Sequence, residues 1–196
     1  LTEEIITTLV NDGVPINSWG VGTNLVTGGN QSALGGVYKL AAKRLESGVF
    51  QPTIKVSNSY AKTTNPGIKQ IYRFYGPDEL AIADLITLDD EDIDDMLQNQ
   101  KDIIFYHPFT DGDLFVMRNG KYTRVEKLLN LVMKDGKICM DKVALKDIQT
   151  YAKESQGHFH RSYKRLINPH IYKVSLSRKL KDLKHELILK AKGINE

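Results

Sequence analysis

Pro15-Ile16-Asn17-Ser18-Trp19-Gly20-Val21-Gly22-Thr23-Asn24-Leu25-Val26-Thr27-Gly28-Gly29-Asn30-Gln31-Ser32-Ala33-Leu34-Gly35-Gly36-Val37-Tyr38-Lys39-Leu40 holds six of the 15 glycines in a chain of 196 residues. The apolar run Ile16 to Trp19 predicts a short strand. It meets Gly20-Val21-Gly22-Thr23, and a helical turn is expected from Asn24 to Val26. Strand, glycine turn and helix start is the order in which α/β proteins build an anion site. Glycines let the backbone approach the ligand, and the unpaired N–H groups of a helix start point at a phosphate. Gly20, Val21, Gly22 and Thr23 are therefore the candidate phosphate-binding residues. A bare Gly-x-Gly-Thr is common and most such turns bind nothing, so the assignment needs support from the rest of the chain.

Upstream, residues 2–12 predict a helix. Thr2 suits its N-cap, Glu3 and Glu4 sit where the dipole favours acids, and Gly13 fits the position just past its end. Ile5, Ile6, Leu9 and Val10 make one apolar face. Helix, turn, strand and glycine turn form one αβ step of a repeating α/β fold. One step cannot form a sheet, and the chain does not begin with Met. It is expected to be the end of a longer protein.

Downstream the pattern changes to strands. Val37 to Ala42 and Thr53 to Val56 read as two. Asn65-Pro66-Gly67 is a strong turn signal, because Pro fixes φ and Gly supplies φ > 0. Lys69 to Tyr75 alternates, with Ile71 on one face and Tyr72 and Phe74 on the other. Gly76-Pro77-Asp78 turns the chain, and Leu80 to Leu88 returns. These four strands predict an antiparallel sheet. Ile103 to Tyr106 is a further strand. Asp113 to Arg118 and Lys121 to Val125 predict a hairpin across Asn119-Gly120, a type I′ signal. Leu128 to Met133 and Lys137 to Met140 predict a second.

The end reads as helical. Val143 to Ser155 has an apolar face of Leu145, Ile148, Tyr151 and Ala152. Tyr172 to Val174 is a short strand. Ser177 suits the cap of a last helix with Leu180, Leu183 and Leu187 on one face and mostly basic residues on the other. The expected fold is thus α/β plus α+β, in three parts. Residues 1–34 end an α/β layer with the phosphate loop, 35–142 form a β-rich antiparallel domain, and 143–196 form a helical C-terminal segment.

Composition narrows the chemistry. Net charge is +3, too small to argue for nucleic acid by itself. The apolar runs are too short for a bilayer, and no signal pattern opens the chain, so a cytoplasmic location is expected. Cys139 is a single cysteine in an apolar context, read as a buried inert thiol. The acidic stretch Asp89 to Asp95 lacks the glycine and bidentate Glu of a calcium loop and reads as a solvated helix end. His158 and His160 have strand spacing for a metal but no third ligand nearby, so no metal site is expected. Lys69 and Arg73 carry charge, read as a strand surface. No P-loop, zinc-protease or nucleophile-elbow motif is present.

Three blocks carry a resemblance. Trp19-Gly20-Val21-Gly22-Thr23 with Gln31-x-Ala33-Leu34-Gly35-Gly36-Val37-Tyr38-Lys39-Leu40 is the first, and Thr63-Thr64-Asn65-Pro66-Gly67-x-Lys69-Gln70-x-Tyr72-Arg73 is the second. The third is Asn168-Pro169-His170-x-Tyr172-x-Val174-x-Leu176-Ser177-x-x-Leu180-x-x-Leu183-Lys184. In this order they resemble the C-terminal part of the nicotinate phosphoribosyltransferase family. Gly28-Gly29-Asn30-Gln31-Ser32 departs from the aromatic-Asp-Gln-Pro type sequence of many members.

The resemblance implies an enzyme that forms nicotinate mononucleotide from nicotinate and phosphoribosyl pyrophosphate with ATP hydrolysis, on the salvage route to NAD. It implies an irregular α/β barrel, of which residues 1 to about 34 would be the last step, and a homodimer using ATP and Mg2+. Gly20, Val21, Gly22 and Thr23 map onto the loop that holds the 5′-phosphate. The phosphorylated histidine and the nicotinate-binding arginine map upstream, so no catalytic residue is expected here and His107, His158, His160, His170 and His185 inherit no such role. Two other readings stand beside it: a non-enzymatic β-rich binding module with a basic tail, and a related enzyme acting on nicotinamide or quinolinate.

Overall fold

Lys69–Tyr75 (β3) and Ala81–Leu88 (β4) form the centre of the molecule, as their alternation predicts. They pair antiparallel from Lys69↔Leu88 to Tyr75↔Ala81, with a register shift at Phe74/Tyr75. A computed structural model describes residues 1–29, 32–33, 35–57, 62–91, 93–99 and 101–194. Asn30, Gln31 and Leu34 of the first block, part of the polar stretch before Asn65, and Asp92 of the acidic stretch lie outside the described residues.

Before β3 stand α1 (Glu3–Asn11), α2 (Thr23–Thr27), β1 (Ala42–Arg44) and β2 (Phe50–Pro52). After β4 come α3 (Ile93–Gln98), β5 (Ile103–Tyr106), β6 (Leu114–Met117), β7 (Arg124–Lys127), β8 (Met133–Lys134) and β9 (Lys137–Ile138). The chain closes with α4 (Leu145–Gly157), a 3-10 turn (Arg161–Lys164), β10 (Lys173–Leu176) and α5 (Arg178–Ala191). The result is a mixed α/β fold dominated by one six-stranded sheet of order β6-β5-β10-β4-β3-β7.

Four sequence expectations are corrected. Ile16 to Trp19 is not a strand, since no described strand lies beside it to complete a ladder. Val37 to Ala42 and Thr53 to Val56 are not strands either. The pairing shifts to β1 and β2, which make their own two-stranded ladder outside the main sheet. The sheet is not wholly antiparallel, because β10 inserts between β4 and β5 and runs parallel to β4. The turn at Asn119-Gly120 exists, with Gly120 at φ +81°, but it joins no hairpin. β6 pairs with β5 and β7 with β3, at opposite edges.

That last connection bends the sheet. Five strand spacings separate β6 from β7, about 24 Å if the sheet were flat. The link from Met117 to Arg124 contains a turn closed by the Lys121 N–H to the Arg118 carbonyl at 3.2 Å. With that turn it reaches only about 21 Å. The sheet must curl, and its concave face holds the main core of Tyr72, Phe74, Ala83, Leu85, Ile103, Phe105 and Met117 under Ile93 of α3. Phe74 meets Phe105 and Tyr122 edge-on, both at 5.2 Å between centroids. Each fully buried Leu, Ile, Phe or Met here contributes about 1.5–3 kcal/mol.

The other face is covered by α5, which follows β10 directly. Leu180 packs with Leu88 and Leu176, with Leu183 and Ile86 beside them. Ser177 caps α5 as expected, accepting from the Leu180 N–H at 3.2 Å. Its hydroxyl donates to the Glu91 carboxylate, which also accepts from the Leu88 N–H at 2.7 Å. The end of β4 and the start of α5 are thereby tied by one carboxylate.

Candidate functional site

Gly22 is the N-cap of α2, with φ −103° and ψ −101° and no side-chain cap. Its carbonyl accepts from the N–H groups of Leu25 and Val26, both at 3.1 Å. The N–H groups of Thr23 and Asn24 have no acceptor among the described residues, as a helix start requires. A β-carbon on Gly20 or Gly22 would meet nothing within 4 Å. Val21 is half-buried, and Gly20, Gly22 and Thr23 are exposed. Asn24 Nδ2 donates to the Leu1 carbonyl at 3.0 Å, which ties this turn to the start of α1. The four predicted residues thus form one exposed turn at the start of a short helix.

Lys69 and Arg73 do not add free charge to it. The Lys69 ammonium donates to the carbonyls of Asn65 (2.9 Å), Pro66 (3.3 Å) and Gly67, all in its own loop. Burial holds its pKa below the ordinary lysine value. Arg73 makes a two-pronged pair with its cross-strand neighbour Asp84, at 2.9 and 2.8 Å. Tyr172 donates to the same carboxylate at 2.8 Å. The guanidinium lies 4.8 Å from the Phe159 ring centroid and 5.9 Å from that of Tyr172. The Asp84 hydrogen bond pushes Arg73 up, and burial, then Asp84, pushes the Tyr172 phenol up. This cluster fastens residues 159–172 to the sheet.

The histidine pair is also structural. His158 Nδ1 lies 2.9 Å from the Glu79 carbonyl, and His160 Nδ1 lies 2.8 Å from Ser162 Oγ while accepting from the Ser162 N–H. The described residues bring together no cluster of three or more His, Cys, Asp or Glu side chains. Cys139 is exposed, which corrects the expectation of a buried thiol; the apolar residues around it are exposed too. The basic face of α5 is largely engaged. Arg178 pairs with Asp182, Lys179 with Asp90 and Lys181 with Asp111. No described helix is long and apolar enough to cross a membrane.

A second feature escaped the sequence. Lys184, one of the basic residues read there as lying opposite the apolar face of the last helix, is 3% exposed. Its ammonium donates to Asn65 Oδ1 at 2.9 Å and reaches the Pro108 carbonyl at 3.5 Å, with no carboxylate partner among the described residues. Burial first, then repulsion from Lys181, lowers its pKa. The signal was its i+4 spacing from Leu180, which places it on the apolar stripe. Asn65 and Pro108 also line a cavity of about 460 Å³, with His107, Phe109, Phe115, Tyr172 and Lys173 among the other walls.

The chain can now be set beside known proteins. A family model described as "Nicotinate phosphoribosyltransferase C-terminal domain" matches residues 68–184. The nicotinate phosphoribosyltransferase of Caenorhabditis elegans is 36% identical over 197 residues, covering 100% of this chain and 33% of that protein. That of Bacillus subtilis is 35% identical over 178 residues, covering 90% of this chain and 35% of that protein. The crystal structure of human nicotinic acid phosphoribosyltransferase superposes with a TM-score of 0.54 at 25% identity, covering 64% of this chain and 24% of that one. The chain spans about a third of the length of the curated relatives it matches. With more than half of its residues inside the family model, this chain belongs to the nicotinate phosphoribosyltransferase C-terminal domain family.

Proposed function

We propose that the chain is the C-terminal part of an enzyme that joins nicotinate to the ribosyl carbon of phosphoribosyl pyrophosphate, forming nicotinate mononucleotide with ATP hydrolysis. The observation that carries this reading is similarity to nicotinate phosphoribosyltransferases along the whole chain, beyond the domain that the family model covers. In this reading residues 1–34 complete an α/β barrel, 35–142 are the β-rich domain, and 143–196 the C-terminal segment, which lends β10 to the sheet. In this reading a homodimer is the expected assembly and the cytoplasm the expected location.

Within that enzyme Gly20, Val21, Gly22 and Thr23 hold the 5′-phosphate. The unfilled N–H groups of Thr23 and Asn24 and the open space over Gly20 and Gly22 support this role. Barrel enzymes place phosphate sites in loops after late strands. Fixing the phosphate there holds the anomeric carbon in place for attack, so the contribution is positioning and charge stabilisation. Mg2+ would stabilise the pyrophosphate, and the described residues offer no cluster of three or more His, Cys, Asp or Glu to hold it.

Gly22→Val in the intact enzyme tests the site. A branched side chain would stand where the phosphate approaches. KM for phosphoribosyl pyrophosphate is expected to rise at least tenfold with KM for nicotinate little changed. Steady-state kinetics unchanged in both would remove this turn from the site. The 196-residue chain alone is expected to show no turnover.

A further inference from the structure

We propose that the loop from His107 to Asp111 is a pH-sensitive latch on the wall of the cavity beside Asn65, closed while the His107 ring is neutral and released when the ring takes up a proton. The latch is built from groups that the reading above does not use, and it stands or falls independently of phosphoribosyl transfer.

The loop joins β5 to β6, and its backbone is held from two sides. On the N–H side, His107 Nδ1 accepts from Phe109 (3.2 Å) and Thr110 (2.9 Å). Pro108 has no N–H to give, and the His107 N–H donates to the Asp113 carbonyl at 3.0 Å. One ring nitrogen therefore gathers the donors of both Phe109 and Thr110. On the carbonyl side stands α5. The Lys181 ammonium donates to the carbonyls of His107 (3.3 Å) and Thr110 (3.1 Å) and pairs with Asp111 at 3.0 Å. The Lys184 ammonium reaches the Pro108 carbonyl at 3.5 Å. His107, Pro108 and Phe109 all line the cavity, and the rings of His107 and Phe109 meet edge-on at 5.9 Å between centroids.

A nitrogen that accepts carries no proton, so the latched ring is neutral and holds its proton on Nε2. A second proton goes to Nδ1. It turns the shared acceptor into a donor that faces two N–H groups, and both bonds are lost. The ring's new charge shares the loop with the ammonium groups of Lys181 and Lys184, and Lys173 lines the same cavity. Repulsion from these cations drives the charged ring outward. The neighbouring acids are taken or screened. Asp111 is committed to Lys181, whose hydrogen bond holds its carboxyl below the ordinary aspartate range. Asp113 is exposed, where water weakens its pull. The Tyr172 phenol of the cavity wall is engaged with Asp84. His185 of α5 is the other titratable ring that acts on the loop, through Asp111. The lysines keep the carbonyls, so the release is confined to Phe109 and Thr110 and frees the Phe109 ring from the cavity wall.

Nuclear magnetic resonance on the full chain tests the latch between about pH 8 and about pH 5, the range in which histidine changes charge. The His107 ring carbons report its protonation. Amide exchange, corrected for its intrinsic pH dependence, reports the latch. Protection of the Phe109 and Thr110 amides is expected to fall at least tenfold at the lower pH, while that of the His107 amide changes by less than about twofold. His107→Asn keeps an oxygen acceptor near the Nδ1 position and cannot titrate, so both amides should stay protected at both pH values. His185→Gln should leave the response intact. The parent's own titration carries the test if His107→Asn does not fold. A His107 ring that stays neutral at the lower pH, amides that stay protected while the ring takes up its proton, an undiminished response in His107→Asn, or loss of the response in a folded His185→Gln variant would each overturn the proposal.

Discussion

Gly67 sits at φ +80°, and a β-carbon there would lie 2.7 Å from Leu88 Cδ2. Leu88 is packed against Leu176 and Leu180, so moving it aside disturbs that cluster. Gly67→Ala should cost roughly 2–4 kcal/mol, from left-handed strain plus overpacking. Gly112 has nearly the same φ, +79°, with nothing within 4 Å of a β-carbon. Gly112→Ala should cost only about 1 kcal/mol, the strain alone. Urea unfolding of the pair separates the two terms, and equal losses would show that Leu88 moves freely. Lys184 gives a pH test. Burial lowers its pKa from the ordinary 10.5. The unfolded chain then holds more protons than the native one between the depressed value and 10.5, so stability rises with pH in that window. Measured against Lys184→Met, the parent should gain relative stability as pH climbs towards 10.5 and show a constant difference below the window. A difference flat up to pH 10.5 would mean that the ammonium is solvated.

Elements succeed or fail by how local their instructions are. β3, β4 and the turns around them were legible because alternation, Asn65-Pro66-Gly67 and Gly76-Pro77-Asp78 are all short-range signals. The Ser177 cap and the Lys134-Asp135-Gly136 turn were legible for the same reason, with Asp135 and Gly136 both at positive φ. The pairing of β6 and β7 was not. Asn119-Gly120 encodes a turn, but the partners of its flanking strands are chosen by Ile103 to Tyr106 on one side and Tyr72 to Tyr75 on the other. The same holds for β10, whose place beside β4 is set by Ser175 and Leu176 meeting residues about ninety positions earlier. At the candidate phosphate turn the sequence showed the backbone logic; the cavity beside Asn65 and Pro108 escaped because it assembles from five separate segments. Ser177→Ala tests the tie between β4 and α5. It removes the cap on Leu180 and a bond to Glu91, so a loss of about 1–2 kcal/mol is expected. Hydrogen exchange should quicken first in the opening turn of α5, and a loss below 0.5 kcal/mol would show that water replaces the hydroxyl.

Across the molecule, burial is unevenly shared, and stability should follow it. The strands from Lys69 to Lys127, with β10 and α5, hold the buried core, and every residue from 129 to 154 is exposed. That arm carries β8, β9 and most of α4, and exposes Leu131, Met133, Ile138, Leu145, Ile148 and Tyr151. An amphipathic helix with no buried residue rests mainly on its internal hydrogen bonds, and 13 residues is marginal for a helix without packing. Native-state exchange should therefore separate two regions. Amides of β3, β4 and β10 should exchange only by global unfolding, at a rate that follows total stability as urea is added. Amides of residues 133–138 and 145–157 should exchange through local opening, at least a hundredfold faster and with little urea dependence. Limited proteolysis should cut first between residues 128 and 144 and leave the sheet intact. If β8 and β9 were protected as strongly as β4 in the monomeric chain, the exposed apolar residues would have to be covered by contacts absent from this fold, and the division into a stable sheet and a locally opening arm would be wrong.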